Sequence, residues 1–587
     1  MDRRDVARIL EETAAMLDLK GENPFKVRAY ENAARAVLGV PGDLDEAIRT
    51  RELLKTRGIG PTIFANIETL VATGRLPVHE ELRSSYPPGL RECLRVPGLG
   101  VKKAKALYDA IGVDSLEALE LACRDGRVAG LRGFGSKTAE KILKGLAVVR
   151  GSAGSFLYSK ASRRADDLVR ALAATGLASR LEVAGSLRRR REIVRDIDLV
   201  SASDRPQALA EEFRRLPEVL DVIGSGETKT SLRFVDGLSA DLRIVTAEQY
   251  AAALLYFTGS KEHNTLLRGR ARRMGLKLNE YGLFREPSGE RLAGSTEEDL
   301  YAGLGLRFVE PELREGGGEV EAAESGTLPD LLKEGDVQGL IHVHTTESDG
   351  RDTLETMVAA ARAAGYRYVA ITDHSVSAAY AGGLTEDRVI RQREEIRALR
   401  RRDPEIRIFH GTEADILADG AIDFGDEFLE TFDLVVASVH SRFALSPEEQ
   451  TRRLIRAVRN PRVAVLGHPT GRLLLEREGV VADMDAVIAA AAEAGCALEV
   501  NGSPHRLDLD WRLCRKAVER GCLLSIGPDA HSTRELSNAA QAVAIARKGW
   551  AGRGDVLNAR SADELGEWLS RRRGSTIPEV AERTGIT

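Results

Sequence analysis

From residue 336 onward one pattern recurs seven times, a short apolar run followed by a helical stretch such as TLETMVAAARAAG or DMDAVIAAAAEAG. The runs lie near 339–344, 367–372, 406–412, 433–439, 463–467, 496–500 and 522–527. Seven β/α units of this kind predict a barrel-like closed parallel sheet over 336–575. Ligand-type side chains stand where the strands end. The first strand leads to His342, His344 and Asp349, the second to His374, the third to Glu413 and the fourth to His440. The fifth leads to His468, and the seventh to Asp529 and His531. The C-terminal rim is where a β/α barrel keeps its active site. Imidazole and carboxylate together suit Zn²⁺, Mn²⁺ or Fe²⁺. A single histidine would read as a satisfied core or surface group, but nine ligand-type residues on six of seven strand ends predict a metal centre. His410, His505 and Asn501 lie near the same rim and are candidates for substrate contacts.

At 587 residues the chain has room for further cores ahead of this one. The formal net charge of -5 does not point to nucleic acid, but it averages over unlike stretches. Lys160–Arg195 holds ten bases and four acids, a local balance of +6 suited to phosphates. Glu310–Asp336 holds nine acids and two bases, a balance of -7. That stretch, EPELREGGGEVEAAESGTLPD, reads as a solvated linker, placed at 314–335, dividing the chain in two. No run of about 18 apolar residues predicts a membrane span. The start, MDRRDVARILEETAAML, reads as a charged amphipathic helix without a signal peptide's apolar core. The five cysteines form no CxxC pair and fit unpaired thiols in an intracellular protein.

Three similar segments occupy the first 150 residues: LLKTRGIGPTIFANI, CLRVPGLGVKKAKAL and GLRGFGSKTAEKIL. Each sets one residue between two glycines, Gly58 and Gly60, Gly98 and Gly100, Gly133 and Gly135. Glycine lets the chain turn tightly and approach a phosphate without a Cβ in the way. The helix that follows offers its N-terminal N–H groups to the anion. Three copies with the same flanks resemble the helix-hairpin-helix, a unit that binds the DNA backbone without regard to base sequence. The repeats divide into domains at 1–82 and 83–150.

The segment RLEVAGSLRRRREIVRDIDLVSAS places a Gly185-Ser186 turn after one strand-like run and Asp196 and Asp198 in another. A period of two points both carboxylates to one face. Asp241, in LSADLRIV, is a third carboxylate on a strand-like run. Three acids converging from neighbouring strands can hold two Mg²⁺ ions, or Mn²⁺, which activate a 3′-hydroxyl and stabilise departing pyrophosphate. Arg188 to Arg191 add positive charge where a triphosphate needs it. A Gly-Ser turn followed within about a dozen residues by DxD resembles the nucleotidyltransferase signature, and marks 151–245 as an α+β palm.

The resemblance extends through LLYFTGSKEHNTLLRGRARRMGLKLNEYGLF, which looks like the nucleotide-selection subdomain of DNA polymerase beta and its relatives, here 246–313. By that resemblance Asp196, Asp198 and Asp241 match the metal-binding triad. Gly185, Ser186 and Arg189 match the turn and its triphosphate contacts. Tyr256, Phe257 and Gly259 match the sugar pocket, and Asn264 and Arg268 match minor-groove contacts. Lys261 stands where the animal enzyme has an acid near the incoming base. Lys26 and Tyr30, in PFKVRAYENAA, belong to the resembling DNA-binding region. Asn66 stands where that family has its lyase lysine, and a Schiff base needs an amine. Efficient deoxyribose-phosphate lyase chemistry is therefore not expected.

The motifs HxH, SDG, ITDH, GHP and DAH together resemble the polymerase and histidinol phosphatase (PHP) domain. The resemblance implies three divalent metals. One is held by His342, His344, Glu413 and Asp529, a second by Glu413, His440 and His468, and a third by Asp349, His374 and His531. Taken whole, the chain resembles a bacterial family X DNA polymerase with a C-terminal PHP domain. That implies a gap-filling polymerase with a 3′→5′ exonuclease, and abasic-site endonuclease activity in some relatives. The expected substrates are gapped or nicked DNA and dNTPs. The expected setting is a monomer in the bacterial cytoplasm, at the nucleoid when on DNA, beside other repair proteins. Two alternatives stay open: a PHP domain acting on another phosphoester, and a non-enzymatic scaffold that binds DNA ends.

Overall fold

The computed structural model describes residues 3–38, 44–56, 58–94, 96, 99–152, 154–226, 228–292 and 294–584. The chain divides into two compact units, Met1–Ala153 with Leu475–Arg477, and Gly154–Leu474 with Glu478–Thr587. Among the described residues the first unit is helical, and it has two cores. One is built from residues between Val6 and Leu82, the other from residues between Cys93 and Leu146. The second glycine of each motif lies directly ahead of a helix. Gly60 and Gly100 are the residues just ahead of helices Pro61–Thr73 and Val101–Ile111. Gly135 immediately precedes helix Ser136–Ser152. In each case the glycine carbonyl accepts the first helical bond, from Phe64, Ala104 and Ala139 respectively. Gly58 and Gly133 adopt φ of 102° and 87°, a region that disfavours any side chain. Gly98 lies outside the described residues.

The second unit begins with strands β1 (Phe156–Leu157), β2 (Arg180–Val183), β3 (Ile193–Val194), β4 (Asp196–Ala202), β5 (Val219–Ser225), β6 (Lys229–Phe234) and β7 (Ser239–Val245). Five of them form one sheet in the order β2-β4-β7-β6-β5. The Gly185-Ser186 turn is in fact the first turn of a short helix, Gly185–Arg188. Next comes the almost wholly apolar helix Tyr250–Thr258, buried along most of its length. Helix Lys261–Arg273 and the hairpin of β8 (Leu276–Asn279) and β9 (Gly282–Arg285) complete this part with helix Glu297–Gly303.

The acidic stretch expected as a solvated linker is instead packed. Arg314 and Glu319 are fully buried, and Val320, Ala323 and Leu331 join the same apolar cluster as Leu267 and Leu300. Four of the nine acids meet a cation or imidazole from elsewhere in the chain, Glu312, Glu315, Glu319 and Glu324. Glu312 accepts from Arg547 at 2.8 Å, and Glu319 faces His263 Nδ1 at 2.6 Å. Glu324 pairs with Arg270 at 2.7 Å. A composition count cannot see partners distant in sequence. The basic stretch Lys160–Arg195 is similarly spoken for in part. Lys160 pairs with Asp236 at 3.2 Å, and Arg164 with Glu218.

The barrel strands are β10 (Gly339–Val343), β11 (Tyr368–Ile371), β12 (Arg407–Asp415), β13 (Leu434–Ser438), β14 (Val465–Leu466), β15 (Ala497–Asn501) and β16 (Leu524–Gly527). They form one sheet in sequence order, every neighbouring pair parallel. A parallel bridge between Val343 and Ala530 brings the last strand's loop back to the first, so the sheet is nearly closed. The strands are buried on both faces, because helices cover the outside and side chains fill the inside. The packed chain continues past residue 575. Ile577 and Glu579 are buried, and Glu579 accepts from Arg407 Nε at 2.6 Å. No helix among the described residues is long and apolar enough to cross a membrane. All five cysteines are buried and free.

Candidate metal centres

In the five-stranded sheet, β4 and β7 run parallel with Asp198 directly opposite Asp241. The strand period puts Asp196 on the same face of β4, two residues earlier. Gly185 has a φ of 63°, and a Cβ there would meet Asp198 Oδ2 at 2.0 Å. Only glycine lets the turn pass this close to the carboxylate. Burial, then the charges of Asp196 and Asp241, push the Asp198 carboxyl up to about 7. A cation relieves that repulsion, so the donor set fits a divalent metal. Lys229 Nζ lies 2.5 Å from Asp241 Oδ2. No motif in the sequence marks this lysine.

A cavity of about 350 Å³ opens beside the aspartates. All nine residues expected to contact nucleotide line it, with Asp196, Asp198 and Ser260. Asn264 donates to the Tyr256 carbonyl at 2.7 Å, which fixes the turn after helix Tyr250–Thr258. Gly259 lies against Arg189, where a Cβ would be 3.1 Å from Nη1. Of the four consecutive arginines only Arg189 lines the cavity. Arg188 is turned away, donating to Thr258 Oγ1 at 2.8 Å and to Glu297 at 2.6 Å. Arg190 donates to the Tyr158 hydroxyl. The positive charge expected of the run is therefore brought to the cavity by Arg189, while Thr258, Glu297 and Tyr158 hold Arg188 and Arg190 elsewhere.

In the barrel the nine ligand-type residues converge at the C-terminal ends of the strands. Among the described residues they form four overlapping groups whose donor atoms lie within 4.8 Å of one another. The groups are His344 with Asp349, His374 and His531; His342 with Glu413 and His468; His342 with His344 and Asp529; and His374 with Glu413 and His440. Glu413 is fully enclosed and its two oxygens face different partners. Oε1 lies 2.8 Å from His468 Nε2 and 3.3 Å from His440 Nε2. Oε2 lies 3.3 Å from His342 Nε2, 3.6 Å from His344 Nε2 and 3.0 Å from His374 Nδ1. Asp349 lies 3.3 Å from His531 and 3.5 Å from His374. His344 thus approaches the Asp349 group as well as the Asp529 group, beyond the set the resemblance implied.

Burial alone would raise the Glu413 carboxyl. The imidazoles of His342, His374 and His440 outweigh it and hold the group well below the usual carboxylate range. Buried imidazole nitrogens His342 Nε2, His344 Nδ1 and Nε2, His374 Nδ1 and His468 Nδ1 have no aligned hydrogen-bond partner. Buried polar atoms rarely stay unpaired, and a cluster of them facing carboxylates is what a metal satisfies.

Residues missed by the sequence reading orient these ligands. Glu499 accepts from His342 Nδ1 at 2.5 Å and from the His468 backbone N–H at 2.6 Å. Asp415 faces His440 Nδ1 at 2.5 Å. Carboxylates behind metal-type histidines fix the tautomer and the ring. Gly527 makes room, since a Cβ there would lie 1.9 Å from Glu499 Oε1. The signal for Glu499 was present. It is an acid inside the apolar run ALEVN, on the one strand end to which no ligand had been assigned. Asn501 donates to Glu499 and to Asp529, both at 3.1 Å, so it braces the cluster.

His410 is corrected. It is buried within β12 against Gln392 and Phe432, and burial with nearby arginines holds its ring neutral. The backbone carbonyl of His505 accepts from Leu474 at 2.7 Å. In the first unit Tyr30 is buried and its hydroxyl accepts from Asn66 Nδ2 at 2.8 Å, while Lys26 lies 3.8 Å from Glu22.

The comparisons with known proteins agree with this division. The DNA polymerase beta thumb model matches residues 253–315, and the PHP domain model matches residues 341–503. A helix-hairpin-helix domain matches 1–76, and a SAM-like helix-hairpin-helix tandem matches 90–147. Together the carboxylate-bearing sheet, its nucleotide-sized cavity and the histidine-lined barrel define a nucleotidyltransferase joined to a PHP domain. The chain is 39% identical over 573 residues to the "DNA polymerase/3'-5' exonuclease PolX" of Bacillus subtilis, covering 97% of this chain and 100% of that one. It belongs to the family X DNA polymerases, in the form that carries a C-terminal PHP domain. The barrel region is also similar to proteins described as "Probable phosphatase". One from Caldicellulosiruptor saccharolyticus is 31% identical over 215 residues, which is 33% of this chain and 81% of that one. Another, from Shewanella sediminis, is 29% identical over 257 residues, 41% of this chain and 97% of that one.

Proposed function

We propose that the chain is a DNA polymerase and 3′→5′ exonuclease that fills short gaps during base excision repair. The observation that carries this reading is the presence of two separate ligand sets, the register-paired Asp198 and Asp241 beside Asp196, and the two-faced Glu413 among six histidines. Asp196, Asp198 and Asp241 would hold two Mg²⁺ or Mn²⁺, and the barrel cluster three of Zn²⁺, Mn²⁺ or Fe²⁺, which would supply positive charge to phosphoryl oxygens and acidify water.

The chain's own side chains do the rest. Arg189, with Ser186 and the Gly185 turn, holds the triphosphate against the aspartates. Tyr256, Phe257 and Gly259 wall the sugar pocket so that a ribose 2′-hydroxyl meets backbone. Lys261 lies at the side of the incoming base, and Asn264 and Arg268 reach the minor groove of the nascent pair. The glycine pairs, with Lys26 and Tyr30, take the DNA backbone. In the barrel, His342, His344, Glu413 and Asp529 form one set, Glu413, His440 and His468 a second, and Asp349, His374 and His531 a third. Glu499 and Asp415 keep His342 and His440 in the tautomer whose other nitrogen faces the cluster.

A 5′-labelled primer on a gapped duplex tests the whole reading. Lengthening with dNTPs and shortening without them are expected. Neither change would leave a scaffold that binds DNA ends. The likeness of the barrel to probable phosphatases favours one further substrate at the same cluster, a terminal phosphate.

A further inference from the structure

Arg189, the one arginine of its run that lines the nucleotide cavity, does not stand on palm residues alone. Its Nη1 donates to the Thr258 carbonyl at 2.5 Å and its Nε to Glu315 at 3.2 Å. Glu315 is nearly buried, and it would oppose a triphosphate if left as a bare anion. It is not left bare. Lys548 donates to Glu315 Oε1 at 2.6 Å, to the Arg189 carbonyl at 2.9 Å and to the Glu312 carbonyl at 3.1 Å. Arg191 approaches Glu315 Oε2 at 3.6 Å. Lys548 itself is fully buried, with its ammonium 4.7 Å from the Trp511 ring.

This lysine belongs to the other domain. It ends helix Ala539–Lys548, which packs against β15 and β16 of the barrel. A buried ammonium with three acceptors is a fixed feature, because each bond replaces water the group has lost. It reaches both the backbone of Arg189 and the carboxylate that Arg189 leans on.

We propose that Lys548 is a positioning residue for nucleotide addition, through which the barrel sets the affinity of the polymerase site for its triphosphate. It cancels the charge of Glu315, so the guanidinium of Arg189 keeps its net positive charge for the incoming phosphates. It also fixes the Arg189 carbonyl, and with it the turn that carries Ser186. The proposal rests on the reading of Arg189 as a triphosphate contact.

The test is single-nucleotide insertion by the full chain on a gapped duplex whose primer ends in a phosphorothioate linkage, which resists the nuclease. KM for dNTP and kcat are read separately, and exonuclease activity on an ordinary primer is read beside them. Arg189→Ala is expected to raise KM at least about tenfold. An unchanged KM in that variant would refute the reading of the site itself. Lys548→Met is expected to raise KM about tenfold, with kcat within about threefold and exonuclease within about twofold of the parent. Lys548→Arg should recover most of the loss. Adding Glu315→Gln to Lys548→Met should return KM to within about threefold of the parent, because no lone buried carboxylate then remains. A merely structural lysine would lower kcat and exonuclease together, and Glu315→Gln would not rescue it. If Arg189→Ala raises KM and Lys548→Met does not, the proposal fails. Should Lys548→Met alone not fold, the double variant decides, and a KM that stays elevated in it overturns the proposal.

Discussion

In the palm, two of three carboxylates come from a single strand and the third lies across a parallel register, Asp198 opposite Asp241. In the barrel, nine side chains arrive from six strand ends spread over residues 342–531. The first arrangement is local and partly open to water, and one register contact makes it. The second is buried except around Asp349 and His531, and it is redundant in contacts, since most of its side chains face more than one partner. The palm can therefore lose its function by one atom group while its fold stays intact. The barrel shares its load, except at Glu413, where five imidazoles meet one carboxylate.

The sharpest way to break this contrast is Asp198→Ala. Nucleotide addition should fall by several orders of magnitude while 3′-end hydrolysis on the same preparation stays near the parent rate. Loss of both in a folded protein would mean that the sites are not independent. The barrel counterpart is Glu413→Gln, which keeps shape and removes charge. It is expected to abolish hydrolysis and to release about two metals per chain, against about one for His531→Ala, because a bridging carboxylate serves two cations. Plasma mass spectrometry of the full chain checks it, and three retained metals with normal cutting would refute the bridge.

A smaller effect is expected behind the ligands. Glu499→Gln should weaken metal binding by about 10- to 100-fold without removing a ligand. A titration showing unchanged affinity would make Glu499 a packing residue only. In the first unit, borohydride trapping on a 5′-deoxyribose phosphate should give little covalent adduct, because Asn66 offers an amide to the Tyr30 hydroxyl where a lyase needs an amine. A yield like that of the animal enzyme would sink this.

The mildest prediction concerns pH. With the Asp198 carboxyl raised to about 7, protons compete with Mg²⁺ below that pH. Apparent Mg²⁺ affinity at the palm should weaken by up to about tenfold per unit as pH falls below 7, and level off above it. The sign for stability is opposite. A raised carboxyl means that the metal-free folded state binds the extra proton, so this group's contribution is lost as pH rises from the unfolded value toward 7. Asp198→Asn should flatten both slopes.

Much of this molecule was legible in its sequence because its chemistry is periodic. The period of two put Asp196 and Asp198 on one face, and the recurring strand-helix unit placed seven strands and their ends. What stayed hidden depends on pairing across long intervals. The acidic stretch looked solvated because its partners, Arg547, Lys548 and His263, lie elsewhere in the chain. The four arginines looked equivalent until Glu297 and Tyr158 claimed two of them. His410 looked like a rim residue because periodicity fixes a strand but not which of its side chains reaches the end.

The packed connector has one more consequence. A tether with slack lets two sites search for each other, and its length sets how often they meet. Here Arg314 and Glu319 are locked into the core and Glu315 is pinned by Lys548. The separation of the two centres in this unit is therefore a built-in length and not a statistical one.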